Sequence, residues 1–241
     1  MKLGKRPARI DTNRLKLAKY LPASLPEPPE SVDWTHGITD FGMMLNDNEG
    51  DCVFAAGGHA IQTWTAAHGA VRTPPDDQIQ SYYQGWAGFR PGDPSTDHGY
   101  VIVDFLNRWK LFGYCGAIVD AYADPDWNNT EHVKLSIALF GGVDIGLQLP
   151  LAWQNADTWD AVGGADGEPG SWGGHSVWVP AYNPTGPICV TWGALKQMTW
   201  AGFQRYCDEC HTLRSPLFLN VHGEAAANVD LAAWDSDLLI L

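Results

Sequence analysis

Two residues of this chain, Cys52 and His175, have the types and surroundings that nucleophilic thiol chemistry requires. Cys52 follows the turn Gly50-Asp51 and opens a run that predicts a helix from residue 52 to about residue 68. The first turn of a helix presents backbone N–H groups and the positive end of the helix dipole, which favour a thiolate over a thiol. His175 lies far downstream in a strand-like run and supplies an imidazole that can act as a base.

The cysteines can also be explained without chemistry, because most free cysteines are buried packing residues. Their number is five, which argues against a disulfide framework. The run Cys207-Asp208-Glu209-Cys210-His211 matches the attachment pattern of c-type haem, but its spacing of apolar residues indicates an amphipathic helix. A zinc site would need a second pair of ligands, which the sequence does not place near this run. We therefore predict no metal and no other cofactor.

Charge is distributed unevenly along the chain. Residues 1–19, here called the basic arm, carry +6, whereas the whole chain carries −13. The arm either lies on its own acidic body or docks onto another protein or a larger assembly. Nucleic acid is an unfavourable partner, since the acidic body would repel phosphate.

Length and composition predict a globular protein. The 241 residues include 45% hydrophobic residues and 12 tryptophans, which are sufficient for a packed core. No apolar run is long enough to span a bilayer, and residues 1–20 lack the apolar core of a secretion signal. We expect a cytoplasmic protein that does not enter membranes, with association with a virion as the alternative.

Helical patterns precede strand patterns along the chain. Helices are predicted at residues 52–68, 75–85, 100–112, 130–140 and 200–212. Strands are predicted at residues 143–149, 175–182 and 188–192. This order predicts an α+β chain with a cleft between a helical and a sheet half. The expected divisions are an arm with a proline-rich linker (1–28), a helical half (29–142) and a sheet half (143–241).

Five blocks of sequence resemble papain-like cysteine peptidases, in the order that this family shows. They are residues 29–34 (Pro-Glu-Ser-Val-Asp-Trp), 46–52, 97–100 (Asp-His-Gly-Tyr), 174–182 and 191–193 (Thr-Trp-Gly). The resemblance spans about residues 29–193 and implies a papain-like fold in a divergent bacterial or phage-type member. It also implies a thiol hydrolase that cleaves peptide or isopeptide bonds through a Cys–His pair.

The same resemblance implies roles for individual residues. Cys52 would be the nucleophile and His175 the base, and Asn46 would stabilise the oxyanion together with the Cys52 backbone N–H. The residues that would bind substrate are Gly99, His98 and Trp192.

One departure from the family concerns the residue that orients the histidine. Val190 stands where the family has an asparagine, and valine cannot accept a hydrogen bond. Thr191 would point away on a regular strand unless a bulge turns it inward, and Asn183 is another candidate. This departure and the basic arm favour an alternative function: a catalytically weak or inactive papain-fold structural protein. Such a protein would dock through the arm into a larger assembly such as a phage particle.

Two further polar features receive a structural interpretation. His59 is expected to be a buried, hydrogen-bonded histidine of the first helix. The acidic pair Asp208-Glu209 is expected to lie on the solvated surface.

Overall fold

The computed structural model describes residues 1–9, 14–22, 27–222 and 229–238, with backbone only at residues 220–222. The described ranges contain seven α-helices. They are α1 (Cys52–Ala66), α2 (Asp76–Ala87), α3 (Ile102–Phe112), α4 (Thr130–Phe140), α5 (Trp200–Tyr206), α6 (Pro216–His222) and α7 (Leu231–Leu238). None of the helices in the described ranges is both long and apolar enough to cross a membrane.

The strands form one mainly antiparallel sheet. They are β1 (Val32–Asp33), β2 (Ala121–Ala123), β3 (Val143–Leu149), β4 (Thr158–Trp159), β5 (Gly173–Asn183), β6 (Gly186–Thr191), β7 (Ala194–Met198) and β8 (Cys207–Arg214). Their order is β2-β8-β3-β5-β6-β7-β4, with β1 paired to β5. Only the pairing of β4 with β7 is parallel among the described strands.

Helix α1 is the central helix of the helical half and packs against the sheet. Its glycines permit this close packing: a Cβ on Gly57 would lie 2.6 Å from the Phe105 ring of α3, and one on Gly58 would lie 2.4 Å from the Met44 sulfur. These two glycines therefore allow α1 to pack closely against α3 and Met44. Trp178 of β5 joins α1 to the sheet through a hydrogen bond of 2.8 Å from its indole N–H to Thr63 Oγ1.

Two of the buried clusters lie on opposite faces of the sheet. One contains α1, α2 and α3 with Trp178 of the sheet, and the other contains the opposite face of the sheet with α4 and α5. The predicted α+β class, with a helical half and a mostly antiparallel sheet, is confirmed. The exact division at residue 142 stays a prediction. Residues 23–26 of the predicted linker lie outside the described residues.

The late helix predicted at residues 200–212 is wrong in its second half. Helix α5 ends at Tyr206, and strand β8 begins at Cys207. Strand β8 is almost entirely buried between β2 and β3, so its sequence lacks the polar alternation of a half-exposed strand. The apolar residues at 203, 206, 207 and 210 have helical spacing although they belong to two elements, and this spacing led to the prediction of one helix.

Candidate active site

Cys52 is the first residue of α1, and its side chain is 1% exposed. As a first-turn residue its backbone N–H has no acceptor within the helix. Backbone groups of Ser176 and Gly4 form hydrogen bonds with the sulfur and favour the thiolate, but burial is the larger influence and raises the pKa of Cys52 to about 12. In this conformation the thiol is therefore protonated, in contrast to the thiolate that a helix start alone would favour.

His175 lies on β5 and is held on two sides. Its Nε2 atom lies 2.8 Å from Thr191 Oγ1. The Trp192 ring stacks on the imidazole, with centroids 4.4 Å apart and planes inclined by 14°. Nδ1 is buried and has no hydrogen-bond partner among the described residues. Burial lowers the pKa of His175 to about 3, so the ring is neutral at pH 7.

A β-bulge brings Thr191 to the His175 face of the sheet. Between β5 and β6 the register shifts, so that Trp178 pairs with Val190 while Ala181 pairs with Ile188. Without the shift, Val190 would lie opposite Val179, on the same face as His175. With the shift, Val190 shares the face of Trp178, and the alternation of side chains brings Thr191 to the imidazole. The Thr191 hydroxyl thus lies within hydrogen-bonding distance of His175, and Val190 faces away from the imidazole.

The Cys52 sulfur lies against the strand that carries His175. Ser176, whose backbone forms a hydrogen bond with the Cys52 thiol, is the neighbour of His175 in β5. Since Nδ1 of His175 has no partner in the described part of the chain, no hydrogen bond joins it to the sulfur in this conformation. Catalytic hydrogen bonds are often loose in the absence of substrate, so the lack of this bond is compatible with a reactive pair.

Asn46 lies close to the nucleophile but its amide is already engaged. Nδ2 donates to the Glu49 carbonyl at 3.1 Å and to Asp51 Oδ1 at 3.2 Å. These two bonds use both protons of the amide. Asp51 is fully buried, and burial raises the pKa of its carboxyl well above the usual value.

The first six residues of the chain, here called the arm tip, lie across the cleft between the two halves. Four backbone hydrogen bonds hold the arm tip: Lys2 N to Asn46 O (3.0 Å), Tyr100 N to Gly4 O (2.8 Å), Lys5 N to Gly174 O (3.2 Å) and Arg6 N to Tyr100 O (2.9 Å). The first, second and fourth bonds join the helical half, and the third joins β5. The arm tip therefore fills the space between the elements that carry Cys52 and His175.

Gly4 is the arm-tip residue next to the sulfur, and its fit depends on the absence of a side chain. A Cβ on Gly4 would lie 1.7 Å from the Gly50 carbonyl oxygen. A Cβ on Gly99 would lie 1.8 Å from the Gly4 carbonyl oxygen, and Gly99 also has a φ of +68°. Two glycines thus allow the arm tip to approach the start of α1 closely.

Lys5 enters a buried acidic pocket next to Gly4. Its side chain is 0% exposed, and its Nζ atom lies 2.9 Å from Asp208 Oδ2 and 3.0 Å from Glu209 Oε1. Burial alone would lower the pKa of Lys5, but the two carboxylates outweigh it and raise the pKa. The expectation that Asp208-Glu209 is solvated surface is wrong, since Glu209 is 1% exposed and Asp208 is only partly exposed.

The three predicted substrate-binding residues differ in their hydrogen bonds to the arm tip. The backbone N–H of Gly99 donates to the Tyr83 hydroxyl at 3.0 Å, and Tyr100 makes the backbone contacts with the arm instead. The Trp192 indole N–H donates to the Lys2 carbonyl at 3.3 Å. His98 is exposed, and none of the described hydrogen bonds joins its ring to the arm tip.

Five other cations of the arm also pair with the body of the same chain. The contacts are Lys2–Asp97, Arg9–Asp104, Arg14–Asp124, Lys16–Asp124 and Lys19–Asp237, at 2.6–3.2 Å. These ion pairs agree with the interpretation that the arm lies on the acidic body of its own chain, and not with docking onto another protein.

The haem-like run and other polar candidates have structural partners. His211 lies between Asp124 and Glu209, at 2.8 Å and 3.2 Å. His59 forms a hydrogen bond of 2.9 Å with Gln62 inside α1, as its structural interpretation expects. In the described ranges, no group of three or more His, Cys, Asp or Glu side chains is arranged to hold a metal ion.

Comparison with solved structures finds a similar fold in the crystal structure of xylellain, a cysteine protease from Xylella fastidiosa. The TM-score is 0.64, and the match covers 88% of this chain and 95% of the xylellain chain. The chain has a papain-like fold. At 14% sequence identity the similarity extends to the fold alone. No family model matches the chain, and no curated protein matches its sequence.

Sequence reasoning missed the occupied cleft and the acidic pocket. The available signals were the glycine next to Lys5 in a short basic arm, Gly4, and the two adjacent acids Asp208 and Glu209. Neither signal indicates a site until β8 is recognised as a buried strand that faces the arm.

Proposed function

We propose that this chain is a papain-like thiol hydrolase that cleaves peptide or isopeptide bonds, with Cys52 as nucleophile and His175 as base. The observation that carries the proposal is the hydrogen bonding of the two ring nitrogens of His175. Thr191 engages Nε2, while Nδ1 is buried without a partner among the described residues. His175 precedes Ser176 in β5, and the backbone of Ser176 forms a hydrogen bond with the sulfur. A base that awaits a proton from Cys52 has this arrangement.

In the proposed reaction the proton of the Cys52 thiol passes to Nδ1 of His175, and the thiolate attacks the carbonyl carbon of the scissile bond. The imidazolium then donates this proton to the leaving amine, and the acyl group remains on sulfur as a thioester. His175 next removes a proton from water, which attacks the thioester and releases the acid. Thr191 accepts a hydrogen bond from Nε2–H and so keeps the lone pair on Nδ1.

The oxyanion requires donors at the start of α1. The Cys52 backbone N–H is the proposed first donor, because it has no acceptor within the helix and adjoins the reacting sulfur. Asn46 is the proposed second donor. Its amide would exchange the bond to Asp51 or Glu49 for one to the oxyanion when substrate binds.

The arm tip keeps this site latent in our proposal. Gly4 occupies the space beside the sulfur, so a substrate carbonyl can reach Cys52 only after the arm tip leaves. Burial in the closed conformation also favours the neutral thiol and the neutral imidazole. Departure of the arm tip would readmit water, and the helix start and the Ser176 backbone would then favour the thiolate.

The test uses the full chain with Gly4→Ala, whose added methyl cannot fit against the Gly50 carbonyl. All five cysteines are buried, so the unaltered chain should react slowly with iodoacetamide. In the Gly4→Ala chain, Cys52 should be labelled roughly tenfold faster or more near neutral pH, as peptide mass spectrometry would measure. Fluorogenic peptides should be hydrolysed by this chain and not after the further change Cys52→Ala.

Gly85→Ala is the matched control, because a Cβ at this helical glycine meets nothing within 4 Å. It should leave the labelling of Cys52 unchanged. The assignment is wrong if Gly4→Ala labels Cys52 no faster than the buried Cys189, or if hydrolysis survives Cys52→Ala.

The docking function stays a prediction that the arm contacts do not favour. Docking of the arm into a larger assembly would have to break its ion pairs with Asp97, Asp124 and the other acids of the same chain.

A further inference from the structure

We infer that the pocket filled by Lys5 is a specificity subsite that selects a lysine or arginine side chain of the substrate close to the scissile bond. The inference rests on the proposed function and identifies the class of substrate. The arm tip then acts as an internal occupant of a site that the body of the chain provides.

The pocket belongs to the body and not to the arm. Glu209 and Asp208 of β8 supply its two carboxylates, and Gly146 of β3 supplies its floor. A Cβ on Gly146 would lie 2.0 Å from the Lys5 Cε atom, so the glycine leaves the space that a long side chain needs. The Lys5 side chain is completely buried in this space.

Neighbouring side chains hold the carboxylates in position from behind. His211 Nε2 lies 3.2 Å from Glu209 Oε2, so the other oxygen faces Lys5. Gln148 Nε2 donates to Asp208 Oδ2 at 2.6 Å. Burial acts to raise the pKa of Glu209, but His211 and Lys5 outweigh it and keep the pKa below its usual value. The pocket is therefore an ordered, negatively charged site.

The charge of the pocket requires a cation. If the arm tip leaves, Glu209 and Asp208 lose their ion pairs with Lys5, and Glu209, still enclosed by protein, keeps only His211 as a cationic neighbour. The loss of one of two cations facing a buried pair of carboxylates is unfavourable, and an apolar substrate side chain would not reverse it. A lysine or arginine side chain would replace the ammonium of Lys5 and restore the ion pairs.

The location of the pocket makes this selection relevant to the reaction. Gly4 contacts the Cys52 sulfur, and Lys5 is the next residue along the arm. Lys5 N also donates to the Gly174 carbonyl, next to His175. A peptide that places a basic side chain in this pocket thus has its main chain within one residue of the reacting pair.

The experiment measures peptide binding, independently of hydrolysis. The protein is the full chain with Gly4→Ala and Cys52→Ala, and the probe is a synthetic hexapeptide with the sequence of residues 1–6. Calorimetry should show that methionine at the fifth peptide position weakens binding about ten- to a hundredfold, because a buried charged hydrogen bond is lost. Methionine at the second position should weaken binding less than about fivefold, since the Lys2 side chain is 45% exposed in its pair with Asp97.

Variants of the pocket should remove the discrimination. With Glu209→Gln, peptides with lysine and with methionine at the fifth position should bind within about threefold of each other, by the loss of the facing charge. Asp208→Asn offers a second variant, because Asp208 is partly exposed and tolerates change better. Equal binding of the lysine and methionine peptides to the unmodified pocket would overturn the inference.

Hydrolysis separates this inference from the proposed function. The Gly4→Ala chain should cleave peptides with lysine or arginine near the scissile bond at least about tenfold better, in kcat/KM, than the same peptides with leucine. Efficient cleavage without this preference would overturn the subsite and leave the hydrolase proposal standing. Selective binding of the lysine peptide with no cleavage of any peptide would contradict the hydrolase and leave the pocket standing.

Discussion

Thr191→Val tests how His175 is positioned for catalysis. Valine has nearly the shape of threonine, so the substitution removes chiefly the oxygen that lies 2.8 Å from His175 Nε2. Both side chains are buried, at 5% and 1% exposure, so water cannot readily replace the lost acceptor. Leaving a buried donor without a partner costs about 1–3 kcal/mol. If all of this cost falls on the transition state, the rate falls about five- to 150-fold.

The assay compares Thr191→Val and Thr191→Ser in the full chain that also carries Gly4→Ala. Thr191→Val should lower kcat by about ten- to a hundredfold with little change in KM, since the residue does not contact substrate in our proposal. Thr191→Ser keeps the hydroxyl and should retain most of the activity.

The pH dependence of Cys52 labelling separates positioning from a general loss of structure. A hydrogen bond from Nε2–H to Thr191 stabilises the imidazolium, which in turn stabilises the thiolate of Cys52. Thr191→Val should therefore shift the labelling profile to higher pH, whereas Thr191→Ser should not. Full activity in Thr191→Val, or an equal loss in Thr191→Ser, would refute the positioning role.

Two further predictions concern stability. Burial alone would lower the pKa of His211, but Asp124 and Glu209 raise it from 6.5 to about 9. Protonated His211 thereby contributes about 3 kcal/mol to the free energy of unfolding. This contribution is complete at a pH below the pKa of the histidine in the unfolded chain, and it is lost as the pH rises through the pKa of the histidine in the folded chain. His211→Gln should flatten the decline of stability between those pH values in urea unfolding, and an unchanged decline would contradict the assignment. Gly57→Ala should destabilise by about 1–3 kcal/mol through a clash with an α3 ring, whereas Gly85→Ala, with open space, should stabilise by up to about 1 kcal/mol in the same assay.

The elements that sequence predicts best have both a periodic core face and a defined end. Helix α4 and strand β3 have the predicted bounds. Gly141 ends α4 in the left-handed conformation with φ of 78°, and it follows directly after the last apolar residue of the periodic pattern. The N-cap is Asn129, whose side chain accepts a hydrogen bond from Glu131 N, and asparagine is one of the residue types that favour this position.

Sheet pairing could not be predicted with the same success. The short strands β1, β2 and β4 contain two or three residues each, too few to show an alternation. Their strand conformation depends on partners far away in sequence, as in the pairing of β2 with β8. Strand β8 lies between β2 and β3 and buries polar as well as apolar side chains, so its sequence shows no alternation of the two types.

The same limit applies to the site. The sequence shows a cysteine at a helix start and a histidine on a strand, because each of these features is local. The orientation of Thr191 depends on a register shift between β5 and β6 that local alternation cannot show. The partners of Lys5 are more than 200 residues away along the chain, and only the folded sheet brings Asp208 to the arm.

In our proposals the arm tip divides occlusion of the site and recognition by the pocket between two residues. Gly4 fits beside Cys52 because it has no side chain, so it excludes substrate and water without adding a recognition contact of its own. Lys5 provides the recognition, through a charge that the pocket requires whether the occupant is the arm or a substrate. Burial of the two residues accounts for the opposite pKa shifts of Cys52 and His175, since it disfavours the charged form of each. Occlusion, latency and substrate preference in our proposals therefore follow from two adjacent residues of one segment.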